Sequence, residues 1–473
     1  MSWWRDGVLY QVYPRSFSDS NGDGIGDLRG VAERLDYLAW LGVDGIWLNP
    51  TFPSPNRDWG YDVSDYYGVH ADRGTTGDLL ALIEEARARK IRILLDLVPN
   101  HTSIEHPWFR ERPDYYVWAD APPNNWRSIF TKESAWTRDP QTGRYYLAQF
   151  SPGQPDLDWW NEGVREEFER IIRFWFDRGV AGFRIDVAHA LVKDRNLRDN
   201  RPYRPGDPEW VERLGTWNDR SMNQAETHDV FRRWQQIASG YAPKPILLGE
   251  TYVRDIPKLA SYYGSGADEL DLAFNFAFLH APFSSDALRP LVEETERLLP
   301  PDAWPVWTAS NHDAGRLGTH WLGGDPSKVR AALTLLLTLR GTPVLYYGDE
   351  LGLPDAEVPP DRIVDLADPP RDPGRTPMPW TGSGEEWRDP WLPLLDTSVN
   401  VEEQRADPSS TLNFTRALIA RRRSFAREPY TPLPSRDGVW AYRRGATTIA
   451  INMSADDAEH GGLTLEPWGT AIV

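Results

Sequence analysis

Residues 91–101 read IRILLDLVPNH. A nearly unbroken apolar run, Ile91–Val98, stops abruptly at Pro99 and is followed by an amide and an imidazole. Continuous apolar runs of this length mark strands buried on both faces, as in parallel sheets. The stretch before it, Thr76–Lys90, is amphipathic, begins at threonine and ends among basic residues, as a capped helix should. The same pairing recurs along the chain. Further strands are expected at Val8–Tyr13, Gly45–Leu48, Gly182–Val187, Ile246–Gly249, Leu270–Phe276, Pro305–Ala309 and Pro343–Tyr347. Helices are expected at Val31–Leu41, Glu162–Asp177, Asp229–Ser239, Asp286–Leu299, Pro326–Leu339 and Ser410–Arg423. Eight strands, each followed sooner or later by a helix, predict an α/β fold, a (β/α)8 TIM barrel. A doubly wound open sheet is the competing fold, but its glycine-rich phosphate fingerprint is missing.

Two segments break the alternation. Residues 101–157 are rich in Pro, Trp and Tyr and show no clear helix. A loop so long inside a compact domain is usually functional, and it is expected to be a subdomain inserted after strand three. The tail from Ala426, with short alternating pieces at Gly438–Arg443 and Thr447–Asn452, predicts a small C-terminal β domain. The expected division is barrel 1–100, inserted subdomain 101–157, barrel 158–425 and β domain 426–473.

Bulk properties narrow the function. A chain of 473 residues with 40% hydrophobic and 26% charged residues folds rather than staying disordered. A net charge of −18 argues against nucleic acid. The chain has no cysteine, which excludes disulfide and thiol chemistry and fits a reducing, cytoplasmic compartment. No leader precedes the first strand and no apolar run is long enough to span a membrane, so no membrane association is expected. The 23 tryptophans suit either a site that stacks sugar faces or a Trp-rich core. Oligomeric state leaves no mark in the sequence.

In a barrel the reacting side chains sit just past the C-terminal ends of strands. Asp96–His101 follows strand three, and Arg184, Asp186 and Val187 end strand four. Glu250 follows strand five, and Asn311–Asp313 follows strand seven. Carboxylates, two histidines and an arginine therefore gather on one face, with no zinc spacing and no P-loop. Two carboxylates in one cleft are the equipment of glycoside hydrolysis. Arg184 and Asp186, two apart, point the same way, so the guanidinium would keep Asp186 ionised as a nucleophile. Glu250 would need a raised pKa to act as the acid. A single such acid would more often be a buried ion pair or a helix cap; the ordered set at strand ends is what points to catalysis.

These motifs, DLVPNH (96–101), GFRIDVAHA (182–190), LLGE (247–250) and SNHD (310–313), resemble the four signature regions of the α-amylase superfamily, glycoside hydrolase family 13. GVDGIWLNP (42–50) and GTPVLYYGDELGL (341–353) resemble its strand-two and strand-eight regions, and QPDLDW (154–159) the mark of its oligo-1,6-glucosidase and α-glucosidase branch. The resemblance implies that Asp186 is the nucleophile, Glu250 the general acid/base and Asp313 the third carboxylate. It implies substrate contacts from Asp58, Tyr61, His101, Phe150, Gln154, Arg184 and His312, with Tyr61 as a stacking platform. In exo-acting members the acid matching Asp58 pairs with an arginine from a segment like RDPGRTPMPW (371–380); Arg375 is the first choice and Arg371 the second. Asp96 is expected to organise the site, and His189 to be a core or supporting residue. The implied reaction is retaining, exo-acting release of glucose from short α-1,4- or α-1,6-glucosides, with carboxyl groups of Asp186 and Glu250 about 5–5.5 Å apart. Glucosyl transfer through the same intermediate is the alternative; a non-catalytic sugar-binding or scaffold protein is a remote one.

One further motif is DSNGDGIGD, residues 19–27. As an EF-hand it fails, because its twelfth position is Gly30 and not a bidentate glutamate. The resemblance implies instead a loop that binds one structural Ca2+ or Mg2+ ion. Asp19, Asn21, Asp23 and Asp27 would give side-chain oxygens and Ile25 its carbonyl; a metal-free, Asx-rich turn is the competing reading.

Overall fold

The computed structural model describes residues 2–266, 268–365 and 367–473. Eight parallel strands form the central sheet: β1 (Leu9–Val12), β2 (Gly45–Leu48), β3 (Arg92–Leu97), β4 (Gly182–Ile185), β5 (Ile246–Gly249), β6 (Leu272–Ala273), β7 (Val306–Trp307) and β8 (Thr342–Tyr346). The spatial order runs β6-β5-β4-β3-β2-β1-β8-β7. A parallel bridge between Phe274 and Val306 joins the two ends, so the sheet closes into the expected (β/α)8 barrel.

Side chains alternate along each strand. Leu9, Trp47, Leu94, Ile246, Leu248, Leu272, Val306 and Val344 belong to one buried cluster inside the barrel. Their neighbours Tyr10, Ile46, Leu48, Ile93, Leu95 and Leu247 belong to the larger cluster that packs against the helices. The period of two then carries inward-facing positions beyond the core: Leu94 leads to Asp96, and Leu248 to Glu250. In register, Asp96 lies beside Arg184, and Arg184 beside Leu248.

Several elements differ from expectation. The helix predicted at Val31–Leu41 is two helices, Leu28–Glu33 and Leu35–Leu41, broken at Arg34, whose guanidinium lies 4.2 Å over the Trp380 ring. Strand β6 is far shorter than Leu270–Phe276, because Asn275 caps the next helix by accepting from the Phe278 amide. The helix Thr76–Ala88 starts with a full capping box between Thr75 and Asp78.

Between β3 and the helix Glu162–Phe176 the chain forms a three-stranded antiparallel sheet (Trp118–Ala119, Trp136–Arg138, Tyr145–Leu147) and a short helix, Trp108–Glu111, which the sequence reading lacked. The segment after β4 holds a two-stranded hairpin (Arg201–Pro202 with Thr216–Trp217) around the helix Glu209–Leu214. The chain ends in a four-stranded antiparallel sheet, Tyr430–Pro432, Val439–Arg444, Thr447–Asn452 and Thr470–Ile472. One buried arginine of the sheet fastens it to the barrel: Arg444 donates to the carbonyl of Thr338 in the helix Val329–Thr338 and to those of Phe425, Ala426 and Glu428.

Candidate active site

Arg184 is the centre of the site. It is buried in β4, with its guanidinium 4.8 Å over the Trp47 ring. Its Nη1 donates to Asp96 at 2.8 Å and to Asp186 at 2.7 Å, and its Nη2 to Glu250 at 2.8 Å. One cation thus holds three carboxyl groups from three adjacent strands. Three full negative charges around one positive charge in a dry site are unfavourable, so the cluster retains a proton. Burial pushes Asp96 up to about 6 against the pull of Arg184. Contrary to the expectation that Arg184 keeps Asp186 ionised, burial raises Asp186 well above the ordinary carboxylate range, with Arg184 opposing and Glu250 and Asp96 adding to the rise.

Asp96 has every role of an organiser. Trp47 Nε1 and Tyr61 Oη donate to its Oδ2, and Arg184 to its Oδ1. Glu250 is held a second time by the Val187 amide at 2.9 Å. Val187 reaches that position in a left-handed backbone conformation, φ 43°, rare for a β-branched residue. Such strain persists where its surroundings enforce it, commonly beside functional groups.

Across the cleft, Asp313 opens into the pocket while accepting from both Arg371 and Arg375 at 3.0 Å. Burial works against its ionisation but is outweighed by His312 when charged and by the two guanidinium groups, so Asp313 stays ionised. Burial holds His312 neutral, leaving Arg371 and Arg375 as the cations that act near neutral pH. Gln11 Nε2 donates to His312 Nδ1, which leaves the ring proton on Nε2, facing Tyr61 Oη and Asp313. The Tyr61 ring stacks on His312 at 5.3 Å with planes 9° apart.

The partner of Asp58 is Arg371 and not Arg375. Arg371 Nη2 donates to Asp58 at 2.9 Å, while Asp365 clamps the same guanidinium from behind. Arg375 donates to the His312 carbonyl and to Asp313 instead. The 3-10 turn Asp372–Arg375 turns the second arginine under the histidine and leaves the first facing Asp58. Gln154 Nε2 bonds the other oxygen of Asp58 and lies 3.2 Å from His101 Nε2. Phe150 packs against His101, ring centres 5.0 Å apart. His189 is buried, near the Glu250 carbonyl and the Tyr252 amide, and burial lowers it to about 4, so it is a neutral supporting residue.

The sequence reading missed Gln11, Asn49 and Asp365, which orient His312, Tyr61 and Arg371. Asn49 ends the strand-two motif, so its place was a usable signal; Asp365 lies in an irregular segment and carried none.

The loop 19–27 brings together the residues expected to hold an ion. Its donors are all oxygens, which suits a hard cation by type. Asp19, however, accepts from the amides of Asn21, Gly22 and Gly24, and Asp23 from that of Ile25. Asn21 donates to Asp23, and Asp27 bonds Ser20 and caps the next helix at Gly30. Among the described residues no three His, Cys, Asp or Glu side chains converge on a point where a metal could sit. The carboxylates accept from the loop's own amides, as in Asx turns.

The model of the α-amylase catalytic domain matches residues 11–427. A probable α-glucosidase of Rhizobium meliloti (strain 1021) is 39% identical over 467 residues, covering 89% of this chain and 83% of the relative. An oligo-1,6-glucosidase of Parageobacillus thermoglucosidasius is 34% identical, over 89% of this chain and 84% of its own. A crystal structure of an α-glucosyl transfer enzyme, XgtA, superposes with a TM-score of 0.94 at 34% identity, covering 100% of this chain and 99% of that one.

Proposed function

The chain belongs to the α-amylase catalytic-domain family of glycoside hydrolases, and we propose that it is a retaining, exo-acting α-glucosidase. The observation that carries this reading is the single Arg184 guanidinium that holds both Asp186 and Glu250. Two carboxyl groups on one guanidinium suit the short separation of double displacement, where an inverting pair stands farther apart to admit water between. In the reacting complex the proton that the cluster retains stands on Glu250, so Asp186 attacks the anomeric carbon as an anion while Glu250 gives that proton to the departing oxygen. Glu250 then takes a proton from water, whose oxygen displaces Asp186 and frees glucose. Asp313, ionised between two arginines, binds sugar hydroxyls, and the ring of Tyr61 on His312 offers an apolar face for the sugar. The Asp58–Arg371 pair closes the pocket behind the non-reducing end, which supports exo action on short α-1,4- or α-1,6-glucosides. Asp186→Asn should abolish release of glucose from maltose and isomaltose in a protein that remains folded; unchanged release would overturn the mechanism.

Glucosyl transfer to an acceptor other than water is the second reading, favoured by the large cavity beside Glu250. The same covalent intermediate serves both, and the ratio of transfer product to free glucose decides between them. No helix among the described residues is long and apolar enough to cross a membrane. A cytoplasmic location is the one we propose, supported by the lack of cysteine in the sequence. We also propose that the 19–27 loop takes one Ca2+ or Mg2+ ion once Asp19, Asp23 and Asp27 release their amides, a reading supported by the oxygen donor set alone. No catalytic step uses it. A thermal midpoint that falls on chelation supports the ion; a midpoint unmoved by chelator and by added Ca2+ contradicts it.

A further inference from the structure

The loop that carries Asp58 and Tyr61 holds two residues in the left-handed backbone region, Asn56 at φ 60° and Trp59 at φ 51°. A bulky side chain in that region is an outlier, and it persists where its surroundings enforce it. For Trp59 those surroundings centre on Arg15, a buried residue just past β1. The Arg15 guanidinium lies 5.0 Å from the Trp59 ring and 5.0 Å from the Trp391 ring. The two indoles are themselves 4.9 Å apart, so the cation and both rings form a closed triangle. Arg15 Nη2 donates to Asp72 Oδ2 at 2.8 Å, while its Nε makes no hydrogen bond. The same Asp72 oxygen accepts from Asn56 Nδ2 at 3.2 Å. One arginine and its counterion therefore touch both left-handed residues, Trp59 directly and Asn56 through the carboxylate.

The clamp is braced from behind by the loop 19–27. Trp391 Nε1 donates to Ser16 Oγ at 2.9 Å and its amide to the Gly24 carbonyl at 3.0 Å. The Arg15 carbonyl accepts from the Gly26 amide at 2.8 Å. Asp58 lies between the two gripped residues, and its carbonyl accepts from the Tyr61 amide at 3.0 Å. Asp62 takes the Arg57 and Asp58 amides, but it does not hold the Trp59 ring. A flat, delocalised cation can lie against two rings and reach a carboxylate at once. An ammonium in its place keeps the ion pair and loses the flat face.

We propose that Arg15 is a positioning residue for Asp58. It acts on the substrate through the Trp59 turn, fixing the carboxylate that closes the pocket with Arg371. This rests on the glucosidase reading, and the test separates the two. Maltose hydrolysis is measured for the unaltered enzyme, Arg15→Lys, Asp58→Asn and the double variant, each shown by thermal unfolding to be folded. Arg15→Lys should lower kcat/KM by at least about fivefold, mostly through KM, because Asp186 and Glu250 are untouched. In the Asp58→Asn background the same change should cost about twofold or less, since residues that act as a unit are not additive. An unchanged kcat/KM, the same fold loss in both backgrounds, or a loss confined to kcat, as a smaller folded fraction gives, overturns the proposal. If Arg15→Lys does not fold, Trp59→Leu is carried through the same cycle. If the unaltered enzyme releases no glucose from maltose, the glucosidase reading falls and the proposal with it; release with additive losses refutes only the positioning role.

Discussion

The two halves of the cleft are built on opposite principles. On the glucose side, Asp58, Asp96, Asp186, Asp313, Arg184, Arg371 and Arg375 form a lattice of charge in which each carboxylate meets a guanidinium. On the leaving-group side, Trp210, Trp217, Met222 and Tyr252 line a wide cavity together with polar groups such as Asn218 and Asn223. The first half is fixed in geometry because an unpaired buried charge is expensive. The second is held by packing, which sets shape but tolerates variation. Recognition of one invariant sugar and of a variable aglycone calls for this division.

Four tests, using five substitutions, probe the contrast. The largest effect belongs to the lattice: Asp186→Asn removes the nucleophile and should lower kcat on the order of 10⁵–10⁶-fold, measured by glucose release. Next, Arg371→Ala leaves Asp58 and Asp313 short of a partner. Loss of one member of a buried charge pair costs about 2–5 kcal/mol, so kcat/KM for maltose should fall by at least about 30-fold. The equivalent Arg375→Ala should leave the Asp58 contact in place, so a crystal structure of each variant distinguishes the two arginines.

The third concerns pH. Burial, opposed by Arg184, holds Asp96 up to about 6 in the folded protein, against about 3.9 in an unfolded chain. Between those values the native state binds more protons than the unfolded state. The stability that Asp96 contributes is therefore fully present at low pH and is lost as pH rises through about 6. Thermal unfolding of Asp96→Asn, compared with the unaltered protein, should show this slope removed, a relative gain of up to about 3 kcal/mol by pH 7. Trp217→Ala, on the apolar side, should keep the slope. The smallest effect is the last: Trp217→Ala should lower kcat/KM for maltose by about fivefold, and a loss as large as that of Arg371→Ala would erase the distinction between the halves.

The same contrast explains what could be read from the chain. Strands buried on both faces leave continuous apolar runs, and the residues just past them must face the cleft, so Asp186, Glu250 and Asp313 stood out at once. Arg371 and Arg375 could not be told apart, because they sit four residues apart in one segment and only the 3-10 turn between them decides which meets Asp58. The left-handed Val187 left no trace, since valine does not advertise that conformation. Strands β6 and β7 are two residues long, their ends taken by a helix cap at Asn275 and a turn in which Thr308 donates to the Ser310 carbonyl. The apolar wall was illegible for a further reason. It depends on the segment after β4, whose hairpin and helix follow tertiary packing more than any periodicity. The loop 19–27 shows a different limit: its side-chain types were legible, but the bonds from Asp19 and Asp27 to amides of the loop and the next helix were not.

The most direct test of the central claim, that Asp186 and Glu250 on one guanidinium perform a double displacement, is the anomer released first. Proton NMR of phenyl α-D-glucoside hydrolysis, in which the leaving group is not itself a sugar, recorded before mutarotation, should show α-glucose as the initial product. Initial appearance of β-glucose would contradict the account.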